Sequence, residues 1–360
     1  MDQYEKLREI LDKHLAGAPP SEKFDQILRI LFTPEEIKIA LVMLFSPTPV
    51  NEIAAKAGVS VEDAWALCES MANKGVVFNR RKGEVMEYSL LPTIPGLFEF
   101  PFMKGGGGPE HEALAKLWEE YHREGLGDSF AGSRTPIARV IPIEKAIDTR
   151  IEVLPFEVIS KMLERNDTYA LAHCACRVSV GACDKPRDVC LIFDRTGRYL
   201  IERGFAREIT QKEALDVVRR AEEGGLVHTT NNSQDRLNLL CNCCPCCCTV
   251  LRGLTQLKNP NAFAVSRWQS QVDASLCTGC GICEDERCPV SAIKVEGSVA
   301  VVDQERCIGC GLCVSACDVE AVHLVPRQHV PETPQTSTDM ALQITAEKGT
   351  TADFVKLMNR

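Results

Sequence analysis

The sequence predicts a multidomain α+β protein. Three observations predict it: helical apolar periodicity through the first hundred residues, short strand-like runs alternating with helices across the middle, and cysteines crowded into the second half. The 360 residues suffice for two or three domains. With 25% charged residues, 45% hydrophobic residues and a net charge of −9, wrapping around nucleic acid is not the expected role. The opening "MDQYEKLREILDKHL" is amphipathic and of mixed charge, unlike a secretory leader. The most apolar stretch, "IKIALVMLF", is too short to span a bilayer, so a cytoplasmic protein with no membrane span is expected.

Tyr4, Leu7, Leu11 and Leu15 form one helical stripe, and Phe24, Ile27, Leu28 and Leu31 form a second. In "TPEEIKIALVML", Thr33 is the expected N-cap, Pro34 the first helical residue and Glu36 the partner in a capping box. "VNEIAAKAG" reads as a short helix ended by Gly58. "VEDAWALCESMANKG" reads as another, with Val61, Ala64, Trp65, Cys68 and Met71 on one face. "VVFNRRKGEVMEYSLL" alternates as a hairpin around "RRKGE". Helix, tight turn, helix and β-ribbon over 33–92 resembles the winged helix-turn-helix domains of bacterial transcription regulators. A reading helix needs bases, but the second helix carries Glu62, Asp63 and Glu69 against Lys74 alone. Nucleic acid is therefore an unfavoured partner. Docking to another protein, or to a second copy as a homodimer, is the expected use, and Cys68 is expected in the core.

Glycines 105–108 follow no strand and precede no Lys-Ser or Lys-Thr, so a phosphate loop fails and a flexible linker is expected. "EHEALAKLWEEYHREG" is a helix, "ARVIPI" and "RIEVLPF" are strand candidates, and "EVISKMLERND" is a helix. "TQKEALDVVRRAEEGG" opens with Thr210 and Glu213 as a capping box and stops at Gly224–Gly225. The proline-rich stretch after Val325 is expected to be extended or disordered, with "DFVKLMNR" closing in a helical turn or two.

Nineteen cysteines are the departure from ordinary composition. An odd count, no leader and adjacent cysteines that cannot easily reach disulfide geometry all oppose a disulfide framework, so the clusters indicate metal. "CTGCGICEDERCP" supplies Cys277, Cys280, Cys283 and Cys288, and "CIGCGLCVSACD" supplies Cys307, Cys310, Cys313 and Cys317. Three thiolates at C-x₂-C-x₂-C spacing wrap one face of a [4Fe–4S] cube, and the fourth reaches the other cluster. The expected sets are Cys277, Cys280, Cys283, Cys317 and Cys307, Cys310, Cys313, Cys288. Residues 270–325, with the strand "AIKVEGSVAVVD" joining the halves, resemble two-cluster bacterial ferredoxins. Two departures stand out: four residues rather than three precede Cys288, and Asp318 rather than proline follows Cys317.

Ten further cysteines lie upstream: Cys174, Cys176, Cys183 and Cys190, then Cys241, Cys243, Cys244, Cys246, Cys247 and Cys248 in "CNCCPCCC". Two [4Fe–4S] clusters with two thiols to spare, a zinc site plus one cluster, or a non-cubane centre all fit. Cys174 and Cys176 are expected to begin one centre, and Cys183 and Cys190 another. Pro245 then divides the octet, with Cys241, Cys243 and Cys244 serving one side and Cys246, Cys247 and Cys248 the other. Arg177 either donates to a cluster or forms a surface salt bridge; His173 reads as packing before ligand. Residues 135–250 resemble the central domain of iron–sulfur proteins of anaerobic bacteria that join such motifs to a two-cluster ferredoxin module.

The expected domains are therefore a winged-helix domain at 1–100, a linker and helix at 101–134, a cysteine-rich iron–sulfur domain at 135–265, a ferredoxin-like module at 266–326 and a polar tail at 327–360. No dinucleotide fingerprint, haem motif or serine–histidine constellation appears. An electron-transfer protein or oxidoreductase subunit is the leading expectation. An enzyme with an open iron–sulfur centre and a redox-sensing regulator are the alternatives.

Overall fold

The computed structural model describes residues 2–147, 153–330 and 332–359. Helices α1 (Gln3–Asp12) and α2 (Glu22–Leu31) turn Tyr4, Leu7, Leu11, Phe24, Ile27, Leu28 and Leu31 inward. α3 (Pro34–Ala40) starts in the expected capping box: the Glu36 amide donates to Thr33 Oγ1 at 3.2 Å and the Thr33 amide to Glu36 Oε2 at 2.8 Å. Next come β1 (Thr48–Pro49), α4 (Val50–Ala57), α5 (Val61–Lys74) and the hairpin β2 (Val77–Lys82) and β3 (Val85–Leu90), with the antiparallel strand order β1-β3-β2. α5 buries Ala64, Cys68, Met71 and Ala72, whereas Val61 and Trp65 remain 51% and 48% exposed. Small residues make the inward stripe and let α5 lie close to its neighbours; Trp65 flanks that stripe and Val61 belongs to the opening turn.

α6 (Glu99–Phe102), α7 (Pro109–Tyr121) and α8 (Gly127–Phe130) complete this core, with the Phe24 ring stacked on Tyr121 at 4.6 Å. Glycines 105–108 are not a free linker. All four have positive φ, and a Cβ on Gly105 or Gly106 would stand 3.1 Å from the His173 ring or 2.9 Å from Val178. The run lets the backbone lie directly against the first cysteine-bearing segment.

The middle of the chain is a six-stranded antiparallel sheet of β4 (Ala138–Val140), β5 (Tyr169–Ala172), β6 (Cys190–Phe193), β7 (Arg207–Ile209), β8 (Val227–Asn231) and β9 (Leu239–Cys243), ordered β4-β8-β9-β6-β5-β7. The strand expected over "RIEVLPF" begins outside the described residues, and its described end, Pro155–Glu157, is a single 3-10 turn. Helices α9 (Ile159–Leu163), α10 (Ala175–Val180), α11 (Asp194–Glu202) and α12 (Gln211–Glu223) flank the sheet, α12 with the expected Thr210–Glu213 capping box. Side chains alternate across it. Ala170, Ala172, Cys190 and Ile192 join the N-terminal core, while Leu171, Leu191, Phe193 and Leu240 meet Ala214, Val217 and Ala221 of α12. α11 ties the two regions together: Tyr199 Oη donates to the carbonyls of Ala72 and Val77 at 3.1 and 2.9 Å, and Arg203 clasps Glu69 at 2.7 and 2.8 Å.

After α13 (Leu251–Thr255), strand β10 (Trp268–Val272) pairs antiparallel with β13 (Val322–Pro326). Between them, the single strand expected for "AIKVEGSVAVVD" is a hairpin of β11 (Ile293–Glu296) and β12 (Val299–Val302). This module rests on the middle region. The Ile143 amide donates to the Cys310 carbonyl at 3.0 Å, and Arg287 Nη1 reaches the Glu223 carbonyl at the end of α12 at 2.9 Å. The tail is not extended throughout. It forms α14 (Ser337–Lys348) and α15 (Thr351–Asn359), opened by a Thr336–Asp339 capping box and burying Met340, Ala341, Ile344 and Thr345. Glu347 accepts from the Thr135 amide and hydroxyl, both at 2.8 Å. Among the described residues, no helix is long and apolar enough to cross a membrane.

The tail returns to the N-terminus, where the His14 ring sits 4.6 Å from Phe45 and 5.9 Å from Phe354. Burial, with Lys348 nearby, lowers its pKa from 6.5 to about 4. Between these values the unfolded chain holds more protons than the folded one, so stability falls as pH drops from 6.5 towards 4. Thermal unfolding across this window is expected to show that slope, and His14→Phe is expected to flatten it.

Candidate metal centres

The ten upstream thiols form two groups, and strand geometry explains the division. On β9 the side chains of Cys241 and Cys243 leave the face opposite Leu240 and meet Cys190, which β6 brings alongside through the Leu191–Leu240 register. The chain then turns at Pro245, and the Cys248 amide closes back on the Cys244 carbonyl at 3.2 Å, returning Cys248 to Cys243, sulfur to sulfur at 3.2 Å. Cys248 hydrogen-bonds to Cys176, and Cys176 to Cys174. The first group is thus Cys174, Cys176, Cys190, Cys241, Cys243 and Cys248. Hydrogen bonds from Cys174 and Cys248 hold the Cys176 thiol well below its ordinary range.

The second group is Cys183, Cys244, Cys246 and Cys247, whose sulfurs all lie within 4.8 Å of one another. The expected halves of the octet therefore exchange two members. Cys244, the first residue past the strand, goes with Cys246 and Cys247, whereas Cys248 goes with Cys241 and Cys243. Cys183 and Cys190 also fall in different groups, because Cys190 is held in β6 and Cys183 in the loop before it.

Arg177 is 1% exposed, which removes the surface salt bridge. Its Nη1 donates to the Asn242 carbonyl at 2.9 Å and to Cys244 Sγ at 3.6 Å, while Nε and Nη2 have no partner. His173 packs on the glycine run. His228 hydrogen-bonds through Nδ1 to Asn242 Oδ1 at 2.6 Å, and Asn242 Nδ2 donates to the Val189 carbonyl at 2.7 Å, so this pair braces the octet. Cys68 lies in the N-terminal core, its thiol pushed up to about 12 by burial.

The C-terminal module contains two cavities. One is lined by Cys277, Cys280, Cys283 and Cys317; the other is lined by Cys288, Cys307, Cys310 and Cys313. Amides point at sulfur in both: Ala300 to Cys277 at 3.4 Å, Ala292 to Cys288 at 3.1 Å and Ser270 to Cys307 at 3.5 Å. The extra residue before Cys288 is absorbed by a wide turn over Cys283–Arg287, closed by the Cys288 amide on the Cys283 carbonyl at 3.1 Å. Cys288 still faces its cavity.

Residues 270–318 match the model of a 4Fe-4S dicluster domain. No curated protein and no solved structure matches the chain. The dicluster domain is an iron–sulfur module, and its donors fit such a group: four thiols around each of two cavities, with N–H groups to share the charge of the sulfurs. The second cavity is the deeper one. Cys307, Cys310 and Cys313 are buried, whereas Cys280 is exposed.

Side chains beside the thiols were not legible beforehand. Ser270 Oγ lies 3.1 Å from Cys313 Sγ, Thr229 Oγ1 3.3 Å from Cys243 Sγ and Thr249 Oγ1 3.6 Å from Cys176 Sγ. Only Thr249, directly after the octet, carried a positional hint. Arg252, 2% exposed, grips Glu119 of α7 with two bonds of 2.8 Å and fixes the helix that follows the octet.

Gly309 tests the dicluster geometry. A Cβ there would stand 2.0 Å from the Trp268 carbonyl of β10, whereas one on Gly297, in the β11–β12 turn, meets nothing within 4 Å. Gly309→Ala is expected to lose iron on anaerobic purification. Gly297→Ala is expected to keep it, at a cost of about 1–2 kcal/mol for its left-handed backbone, read by thermal denaturation.

Proposed function

We propose that the chain is an electron relay, passing single electrons between a partner oxidoreductase and the middle of the molecule. One observation carries this reading: Cys307 and Cys310 of the dicluster domain and Cys243 and Cys248 of the six-thiol group belong to a single buried apolar cluster. Close-packed side chains with no intervening water are the medium in which neighbouring redox centres couple. The crossed sets Cys277, Cys280, Cys283, Cys317 and Cys288, Cys307, Cys310, Cys313 would hold two clusters, and four of the six upstream thiols a third. Exposed Cys280, with exposed Leu276 in the same run and exposed Val319 lining the same cavity, supports exchange with a partner at the outer cavity.

The helix, strand, helix, helix and hairpin order of the N-terminal region supports a winged helix used for docking. Val59, Val61 and Trp65 are exposed at the start of α5, and Lys74 is engaged with Glu36 and the Leu31 carbonyl, leaving little for DNA. The resemblance of the middle region supports a setting in anaerobic metabolism. Six thiols where a cubane needs four favour a second reading, a non-cubane centre that binds a small substrate; its sign would be a visible spectrum that changes on substrate addition.

Anaerobically purified full-length protein is expected to carry about 12 iron and 12 sulfide per chain, and Cys243→Ser about eight of each with both dicluster centres still reducible. About eight iron and eight sulfide in the unmodified full-length protein would remove the third cluster and the relay with it.

A further inference from the structure

We infer that Cys183, Cys244, Cys246 and Cys247 hold a single tetrahedral zinc ion rather than an iron–sulfur cluster. Cys183 Sγ lies 3.9 Å from Cys244 Sγ and 3.8 Å from Cys247 Sγ, and Cys246 Sγ lies 3.8 Å from Cys247 Sγ. Four thiolates around one ion, each about 2.3 Å from it, form a tetrahedron with edges of about 3.8 Å. A cubane instead places each thiolate on a different metal atom, which separates the sulfurs further. Among the described residues, this is the only group of three or more cysteine, histidine or carboxylate ligands drawn within 4.8 Å. The dicluster quartets, spread around their cavities, do not contract in this way.

Two independent features fit the ion. Four protein thiolates close the coordination sphere, as structural zinc sites do, and leave no open position for substrate. The centre would carry a net charge of about −2, and Arg177 stands beside it as a buried cation with two unpartnered nitrogens.

The location explains why a redox-inert ion suits this site. Cys244 and Cys247 lie in the apolar layer beneath α12, separate from the cluster that joins Cys243 and Cys248 to the dicluster domain. The ion would staple the loop that carries Cys183, between α10 and β6, to the turn around Pro245. Both segments flank the six-thiol group and lie outside the strands of the sheet and its flanking helices.

Metal counting on the anaerobically purified full chain is expected to find one zinc per chain, and X-ray absorption at the zinc edge four sulfurs at about 2.3 Å. Cys247→Ser is expected to lose the zinc and keep its iron, sulfide and visible spectrum. No zinc in the unmodified protein, or nitrogen or oxygen in its shell, would overturn the site, and both are read without any variant. Loss of one iron without sulfide from Cys247→Ser would overturn zinc as the metal. Loss of about four irons with four sulfides would overturn the single-ion centre. The iron count that tests the relay is independent of the zinc count.

Discussion

Successive side chains of a β-strand point to opposite faces, and that constraint organises the cysteine-rich half of this protein. Inside β9 it sends Cys241 and Cys243 to one face and Asn242 to the other. Where the strand ends it no longer applies, so Cys244, Cys246 and Cys247 gather on the far side, and a single helical turn brings Cys248 back. A run of six cysteines, which on an open chain would be a sticky liability, becomes two separate groups of thiols. Asn242 between them is no spacer: it is held by His228, Arg177 and the Val189 carbonyl, and so locks the register on which the division depends.

The same alternation makes the sheet a partition. One face is continuous with the N-terminal core and the other with the α12 layer, and both are buried. Thiolate-bound metals carry negative charge, which is costly to bury uncompensated. Fixed donors to sulfur would offset that cost: Arg177 in the middle region, and backbone amides in the dicluster domain. Hydrogen bonds to sulfur also set the potential of an iron–sulfur centre, so the residues that permit burial are those that would tune its redox behaviour.

Much of this was readable from the residue string. Capping boxes at Thr33 and Thr210 act within four residues and appear where expected, and the spacing of the C-terminal cysteines is a local wrapping rule. The partition of the octet was legible in kind but not in detail, because it depends on where β9 stops, and a strand end is decided by pairing with distant β6 and β8. Trp65 and Val61 were misplaced because helical period reports a stripe without saying where the neighbouring layer ends. The tail misled through composition. Its prolines and polar residues hid the Thr336–Asp339 cap and the buried Met340 and Ile344. Glycines 105–108 misled in the same way: they suggested freedom, but Gly105 and Gly106 lie close against His173 and Val178.

The inserted residue before Cys288 has a further consequence. By widening the turn it delivers Arg287 to the carbonyl end of α12, where a cation meets the negative pole of the helix, while Ile143 holds the module at Cys310. A small redox module on a loose tether would work as a swinging arm, its transfer rate governed by how often the arm found its target. Pinned at these two places, this module is a fixed terminal. On the relay proposed above, the gap between its inner cavity and the six-thiol group would be set by the fold, and only an encounter with an outside partner would be left to diffusion.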